Sequence, residues 1–329
     1  MESPGRSQRE SSTVHRIEIS VDWPPGHVVA TLIDGPEPIL VDAGMVGEQS
    51  LEQLEAGLAN AGRSLADIEH LVVTHPHVDH LGQIPALRQV ADPTIYAPAG
   101  VQQRLDRDRT ALEETVRANG KAAGLRGSTL EMAIEKSTDS LERNRSLLPT
   151  AAVDHWIEHD QLFSVGGLEL QGIHTPGHQA DHFCYYGTLD GEAVLFSGDL
   201  LLEPFRSVTI HAGLDDGAED GVEAFYTALD RLDGLDVDRV YPGHGPAHQE
   251  FEATIERSRS SLDRMLDHTH GLIEDGCETA LDIAAERSGN REIQYVLCEV
   301  VGALGYLEDE GRLERTVEDG VNQYRLPVE

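Results

Sequence analysis

The stretch LVVTHPHVDHLG sets His75, His77, Asp79 and His80 within six residues at the end of an apolar run. Three imidazoles and a carboxylate crowded there cost desolvation and mutual repulsion, and bound cations would offset both. Imidazole nitrogen and carboxylate oxygen are donors that suit zinc, and a carboxylate between two ions can bridge them. Three more candidate ligands close later apolar runs: His178 in HTPGHQADH, Asp199 in LFSGDLL and His244 in YPGHGP. Together they make five imidazoles and two carboxylates, enough to hold a dinuclear centre.

These residues need elements that bring them together. HVVATLI and PILVDAG read as strands around the turn DGPEP, and EQSLEQLEAGLANAG reads as a helix closed by Gly62. IEHLVVT is a short strand that delivers the chain into His75, and LGQIPALRQV resumes a helical spacing, so the first cluster lies in a strand-to-helix loop. LELQGIHT, HFCYYGTL and EAVLFSGD read as strands, GVEAFYTALDRL as a helix, and a last strand runs into VYPGHG. The pattern is mixed α/β with candidate ligands at strand ends.

Two segments have a different texture. Between 101 and 150, Val101, Leu105, Leu112 and Val116 form one helical stripe and Leu130, Ile134, Leu141 and Leu148 another, which predicts a helical hairpin turning at NGKAAGLRGS. From about Leu272, CETALDIAAERSG, then a stripe of Ile293, Val296, Val300, Leu304 and Leu307, then GRLERTVEDGVNQYRL around a DG turn, predict helix, helix and β-hairpin, the order of a winged helix. The expected segmentation is a disordered tail at 1–14, a catalytic domain at 15–260 with a helical insertion at 101–150, and a winged-helix-like domain at 261–329.

The four motifs resemble those of the metallo-β-lactamase superfamily: its H-x-H-x-D-H is matched by His75, His77, Asp79 and His80, and TPGH, SGD and PGHG follow in the family's order. The resemblance covers roughly residues 15 to 250 and implies a four-layer αββα fold. It assigns His75, His77 and His178 to one metal ion, Asp79, His80 and His244 to a second, and Asp199 to the bridge. Asp42 in LVDAG matches a further family motif and is expected to support the ligands from behind. Two Zn²⁺ ions are implied, with iron or manganese as alternatives, and their shared water ionises near neutral pH with Asp79 as the catalytic residue that orients it.

His77 stands where di-iron oxygen-reducing members carry glutamate, which disfavours redox chemistry, and Asp199 stands where many true β-lactamases carry Cys or Ser. The resemblance therefore implies a glyoxalase II-like hydrolase that cleaves a thioester or ester-like bond of a small, anionic substrate. The C-terminal segment is similar to the winged helix of a branch with both endoribonucleases and thioester-cleaving members, so a metal-dependent endoribonuclease is an alternative. A mononuclear-iron persulfide dioxygenase is another, and a nucleic-acid-binding module with a degenerate centre a third. His182, four residues after His178, is a candidate for contact with substrate or with a ligand, and His211 a candidate lid residue.

Charge narrows the partners. The chain of 329 residues has 59 acidic and 25 basic side chains, a net charge of -34, and only two lysines, Lys121 and Lys136. Spread along the chain, that charge fits a halophilic protein kept soluble in a salt-rich cytoplasm. Residues 272 to 329 carry 14 acidic and 5 basic side chains, opposite to the footprint of a nucleic-acid binder, so no nucleic-acid partner is expected. The 101–150 segment is nearly balanced, with nine basic and eight acidic residues. It reads either as a lid that meets an anionic substrate, with Arg143 and Arg145 as the contacts, or as a helical surface laced with ion pairs. Cys184, Cys277 and Cys298 have no disulfide or zinc-site spacing, no stretch is apolar enough for a membrane span, and the polar N-terminus lacks a signal-peptide core. The composition leaves a homodimer open.

Overall fold

The computed structural model describes residues 13–289 and 293–328. Most of the expected tail at 1–14 lies outside the described residues, but Thr13 and Val14 open a strand, pairing with Asp34 and Ile33. Strands β1 (Thr13–Ser20) and β2 (His27–Asp34) form an antiparallel hairpin. After it come β3 (Ile39–Val41), β4 (His70–Val72), β5 (Thr94–Pro98) and β6 (His155–Ile157), completing a six-stranded sheet whose spatial order follows the chain. The neighbours β3 to β6 are parallel. Parallel neighbours need crossovers, supplied by helices such as α1 (Glu48–Asn60) between β3 and β4.

The second sheet has the order β11-β10-β9-β8-β7, with β7 (Leu162–Val165), β8 (Leu168–His174), β9 (Phe183–Leu189), β10 (Glu192–Gly198) and β11 (Arg239–Pro242). Its one parallel pair, β10 with β11, is connected through α7 (Gly221–Leu232). Side-chain alternation then builds the layers. In and just after β4, Leu71 and Val73 face a core containing Leu54 and Leu58 of α1, while Val72 faces Tyr185 and Phe196 of the second sheet. In β10, Val194 and Phe196 face that inter-sheet core, and Leu195 faces Phe225 and Leu229 of α7. Both sheets are covered on both faces, which gives the expected four αββα layers.

Helix α1 ends as expected at Gly62, whose φ is +76°. The Gly62 N–H bonds the Ala59 carbonyl and the Arg63 N–H the Leu58 carbonyl, so the last turn is closed by a left-handed residue. A Cβ there would meet nothing within 4 Å, so the cost of Gly62→Ala is conformational alone. It should lower stability by about 1 kcal/mol. A fall in the urea midpoint at unchanged m-value checks this; an unchanged midpoint refutes it.

The insertion differs from the expected hairpin. The first stripe is split into α4 (Ala99–Leu105) and α5 (Arg109–Ala122), separated at residues 106–108, with the Asp108 carboxylate accepting from the Ala111 N–H to start the second helix. The break lets Val101 and Leu105 join the core under the first sheet while Leu112 and Val116 join the core over the second. The turn into α6 (Gly127–Leu147) is shorter than expected, because α5 continues through Asn119 and Lys121.

The C-terminal elements follow the expected order: α9 (Ala280–Ser288), α10 (Ile293–Asp309), and the hairpin β12 (Glu314–Glu318) with β13 (Val321–Arg325) around Asp319 and Gly320, both at positive φ. The anticipated boundary between 260 and 261 falls inside one unbroken helix, α8 (Phe251–Glu274). Val296, Val300 and Leu304 of α10 share a core with Phe225 and Leu229 of α7, so this segment buries its apolar stripe against the second sheet's helices. Among the described residues, no helix is long and apolar enough to cross a membrane.

Candidate metal centre

The seven candidate ligands converge beyond the C-terminal ends of β4, β8, β10 and β11, the usual place for a site in an α/β sheet. Past Val73 the chain turns through His75 and His77 into the short helix α2 (Val78–Leu81), which carries Asp79 and His80. His75 and His80 are wholly buried, and Asp79, His178, Asp199 and His244 nearly so.

Their ligand atoms form two groups, His75, His77, His178 and Asp199 in one and Asp79, His80 and His244 in the other. In the first, His75 Nε2 is 3.0 Å from His77 Nδ1, which is 3.1 Å from His178 Nε2, and Asp199 Oδ2 lies 3.1 and 3.9 Å from His178 and His75 Nε2. A tetrahedral ion with bonds near 2.0–2.1 Å has edges of about 3.3–3.4 Å, so these separations fit one. In the second, Asp79 Oδ2 is 3.9 Å from His80 Nε2 and 3.5 Å from His244 Nε2. Asp199 reaches this group too, with Oδ1 3.2 Å from His80 Nε2 and Oδ2 3.4 Å from His244 Nε2. His80 Nε2 and Asp199 Oδ1 are buried without a hydrogen-bond partner, and a cation between them would satisfy both.

Four of the imidazoles are oriented from behind through Nδ1. His80 Nδ1–H donates to Asp42 Oδ2 at 2.7 Å, His178 Nδ1–H to the Val208 carbonyl at 2.9 Å, and His244 Nδ1–H to the His27 carbonyl at 2.6 Å. Thr74 Oγ1 donates to Asp42 at 2.7 Å and therefore accepts from His75 Nδ1–H at 2.9 Å. In each case the bond fixes the tautomer that leaves the Nε2 lone pair free for a metal. Asp42 sits at φ +58° and also accepts from the Thr74 N–H at 2.8 Å.

The electrostatics divide the cluster. Burial, reinforced by neighbouring imidazoles, holds His75 well below its ordinary pKa and pushes His77 down to about 3. Burial also opposes charge on His80 and His244, but the carboxylates outweigh it: Asp199, Asp42 and Asp79 hold His80 well above its usual value, and Asp199 and Asp79 raise His244 to about 10. Burial works against ionised Asp199, yet His244, His80 and His178 hold it well below the carboxylate range. The second group is therefore the one that must give up protons when a metal binds.

His182 touches the candidate ligand Asp199 through the backbone. It is fully buried, its Nδ1–H donates to the Thr175 carbonyl at 3.1 Å, and its Nε2 accepts the Asp199 N–H at 3.0 Å. His211, at φ +51°, bonds the His178 carbonyl through its N–H and accepts the Ala180 N–H, clamping the loop that carries His178. Burial and the nearby Arg104 push its ring down to about 4.

The guanidinium of Arg145, a candidate substrate contact, donates to the Leu105 and Arg107 carbonyls at 2.6 Å each, satisfying the backbone at the break after α4. Arg143 is exposed and bonds Ser140. Between them, Asn144 reaches the Pro76 carbonyl at 2.6 Å, so α6 touches the metal loop through a residue that sequence reasoning missed. Its signal was a polar residue in the Leu141 and Leu148 stripe. Gly243 was missed as well; a Cβ there would lie 2.8 Å from His80 Cε1 and 2.9 Å from Asp199 Oδ1.

The sequence profile described as the metallo-beta-lactamase superfamily matches residues 23–244, an interval that contains all seven candidate ligands. The chain belongs to that superfamily. It is 25% identical over 306 residues to the probable metallo-hydrolase YqjP of Bacillus subtilis, covering 89% of this chain and 92% of that protein. It is 24% identical over 223 residues to an atrochrysone carboxyl ACP thioesterase of Aspergillus fumigatus, covering 68% of this chain and 52% of that one. The chain spans about half the length of that thioesterase and of several other curated relatives. In fold it matches a metallo-beta-lactamase family protein of Thermus thermophilus, with a TM-score of 0.77 at 22% identity, covering 95% of this chain and 98% of that one. That superposition extends the shared fold beyond the profile into the C-terminal helices.

Proposed function

We propose that this superfamily member is a hydrolase of thioester or ester-like bonds that works with two divalent metal ions, zinc by the chemistry of its donors. The observation that carries this reading is a single carboxylate, Asp199, within 3.1–3.4 Å of imidazoles from both ligand groups. Bound ions would lower the pKa of a water between them and polarise the carbonyl under attack. The chain's own part is to hold that arrangement. The Nδ1 contacts of four histidines fix ring orientation, the His182–Asp199 bond fixes the bridge's backbone, and Asp79 presents a carboxylate oxygen to accept and orient the attacking water's proton. The thioesterase names of two relatives, one 37% identical over 101 residues, support the choice of thioester. The 14 acidic against 5 basic residues at 272 to 329 favour a small-molecule substrate over RNA.

The test is thiol release from a panel of acyl thioesters by the zinc-loaded protein. It is run in molar KCl, because we also read the charge of -34 as adapted to salt that screens it. Turnover on at least one thioester, dependent on bound metal, is expected. A folded, metal-replete protein that releases no thiol overturns the reading and makes RNA cleavage and persulfide oxidation the next assays.

A further inference from the structure

A cavity of about 420 Å³ lies apart from the metal ligands, between the loop that follows Asp199 and helix α8, and it is lined by Arg206, Arg257, Arg264 and Arg287. Four of the chain's 25 basic residues meet there in a protein with 59 acidic ones. Ser258 and Ser261 add hydroxyls to the same lining, and Phe205 and Met265 add apolar surface. Donors predominate, and planar guanidiniums beside hydroxyls match the oxygens of a phosphate.

We propose that this cavity binds a phosphate-bearing anion. An ion-paired helical surface would show each guanidinium matched to its own carboxylate, as Arg259 is by Asp230 and Asp233 outside the cavity. Of the lining guanidiniums, Arg206 and Arg287 donate to Glu299 at 2.7 Å each and Arg257 pairs with Glu203 of the adjoining loop, which leaves Arg264 as the unmatched one. Arg264 makes no hydrogen bond or ion pair among the described residues. Arg206 is preorganised: its side chain is 8% exposed, it donates to the Ser207 carbonyl and to Thr209, and it lies 5.3 Å from the Phe225 ring centroid. Held side chains lose little entropy on binding.

The same loop ties the cavity to the metal centre. Val208, two residues beyond Arg206, gives its carbonyl to His178 Nδ1 and also lines the cavity. An anion seated on Arg206 therefore rests against the segment that orients a candidate ligand. In molar salt the Debye length is about 3 Å, so long-range attraction vanishes but direct contacts of this kind persist.

The experiment titrates the metal-replete full chain with adenosine 3′,5′-bisphosphate and, separately, inorganic phosphate, by calorimetry. Saturable binding is expected, weakened about tenfold or more by Arg264→Ala and further by Arg264→Glu, at unchanged metal content. Arg88→Ala, which removes the same charge from an exposed position on α3 (Ile84–Val90), should leave the Kd unchanged. Binding weaker than about 1 mM for both probes, or equal Kd values in the Arg264 and Arg88 variants, overturns the proposal. Loss of binding on metal removal with no effect of Arg264→Ala also overturns it, since the probe would then sit on the metal. Competitive inhibition of turnover by the bisphosphate would mark the anion as part of the substrate; a change in kcat without competition would mark a separate effector. The binding readout needs no turnover, so a failed thioesterase assay leaves this inference standing.

Discussion

Asp199→Ala should cost about a thousandfold or more in turnover and take at least one metal ion from each chain. The reason is geometric. Asp199 Oδ2 lies 3.1 Å from His178 Nε2 and 3.4 Å from His244 Nε2, and Oδ1 lies 3.2 Å from His80 Nε2. One substitution therefore removes a donor from both groups, whereas His77→Ala would weaken only the first. The loss is also electrostatic, because Asp199 heads the carboxylates that draw positive charge to His80 and His244. Without it the site has one fewer negative charge to set against two divalent ions in a buried setting, where an unmatched charge is expensive. Metal analysis of the dialysed variant, alongside thiol release and a circular dichroism check of folding, gives the answer. A folded variant that keeps wild-type metal content and turnover would sink the assignment of Asp199 as the bridge.

The candidate ligand set was legible because each member sits in a short motif at the end of an apolar run, and a strand end is a local feature of sequence. Four of the seven lie within six residues, where spacing alone brings them together. What supports them was mostly hidden. The groups holding His178 and His244 are the carbonyls of Val208 and His27, 30 and 217 residues away, and a backbone carbonyl leaves no mark in a side-chain pattern. His182 could be suspected, but its role as acceptor of the Asp199 N–H depends on how β9 and β10 pair.

The fold shows the same limit. Strand β2 was plain from its β-branched run, whereas its partner β1 interleaves Arg16 and Glu18 with Ile17 and Ile19 and needs the β2 backbone to show itself. The break between α4 and α5 was masked because Leu105 and Leu112, seven residues apart, keep helical register across it. Only the carboxylate of Asp108 marked the new helix start. The segment after 260 looked separable because its texture changes, but α8 carries its apolar face through that point into the shared core.

Asp42→Asn isolates what orientation contributes, because it keeps size, burial and tolerance of the left-handed backbone while removing charge. Asp42 accepts three hydrogen bonds: from the Thr74 N–H at 2.8 Å, from Thr74 Oγ1 at 2.7 Å and from His80 Nδ1 at 2.7 Å. Oδ1 of asparagine can still accept from the Thr74 N–H. Its Nδ2 then faces two groups that were donating, and a donor opposite His80 Nδ1 stabilises the tautomer protonated at Nε2. That proton occupies the lone pair a metal needs. Thr74 Oγ1 loses its acceptor as well, which loosens its hold on His75 Nδ1. The variant should fold and should bind metal in the Asp79, His80 and His244 group about 10- to 100-fold more weakly, with a parallel loss of turnover. Competition with a chromogenic chelator measures the affinity, and ¹⁵N shifts of the His80 ring in the zinc-loaded protein report which nitrogen keeps its proton. If affinity falls but Nδ1 keeps its proton, loss of the negative charge is responsible and the tautomer argument fails; wild-type affinity would leave Asp42 a purely structural residue.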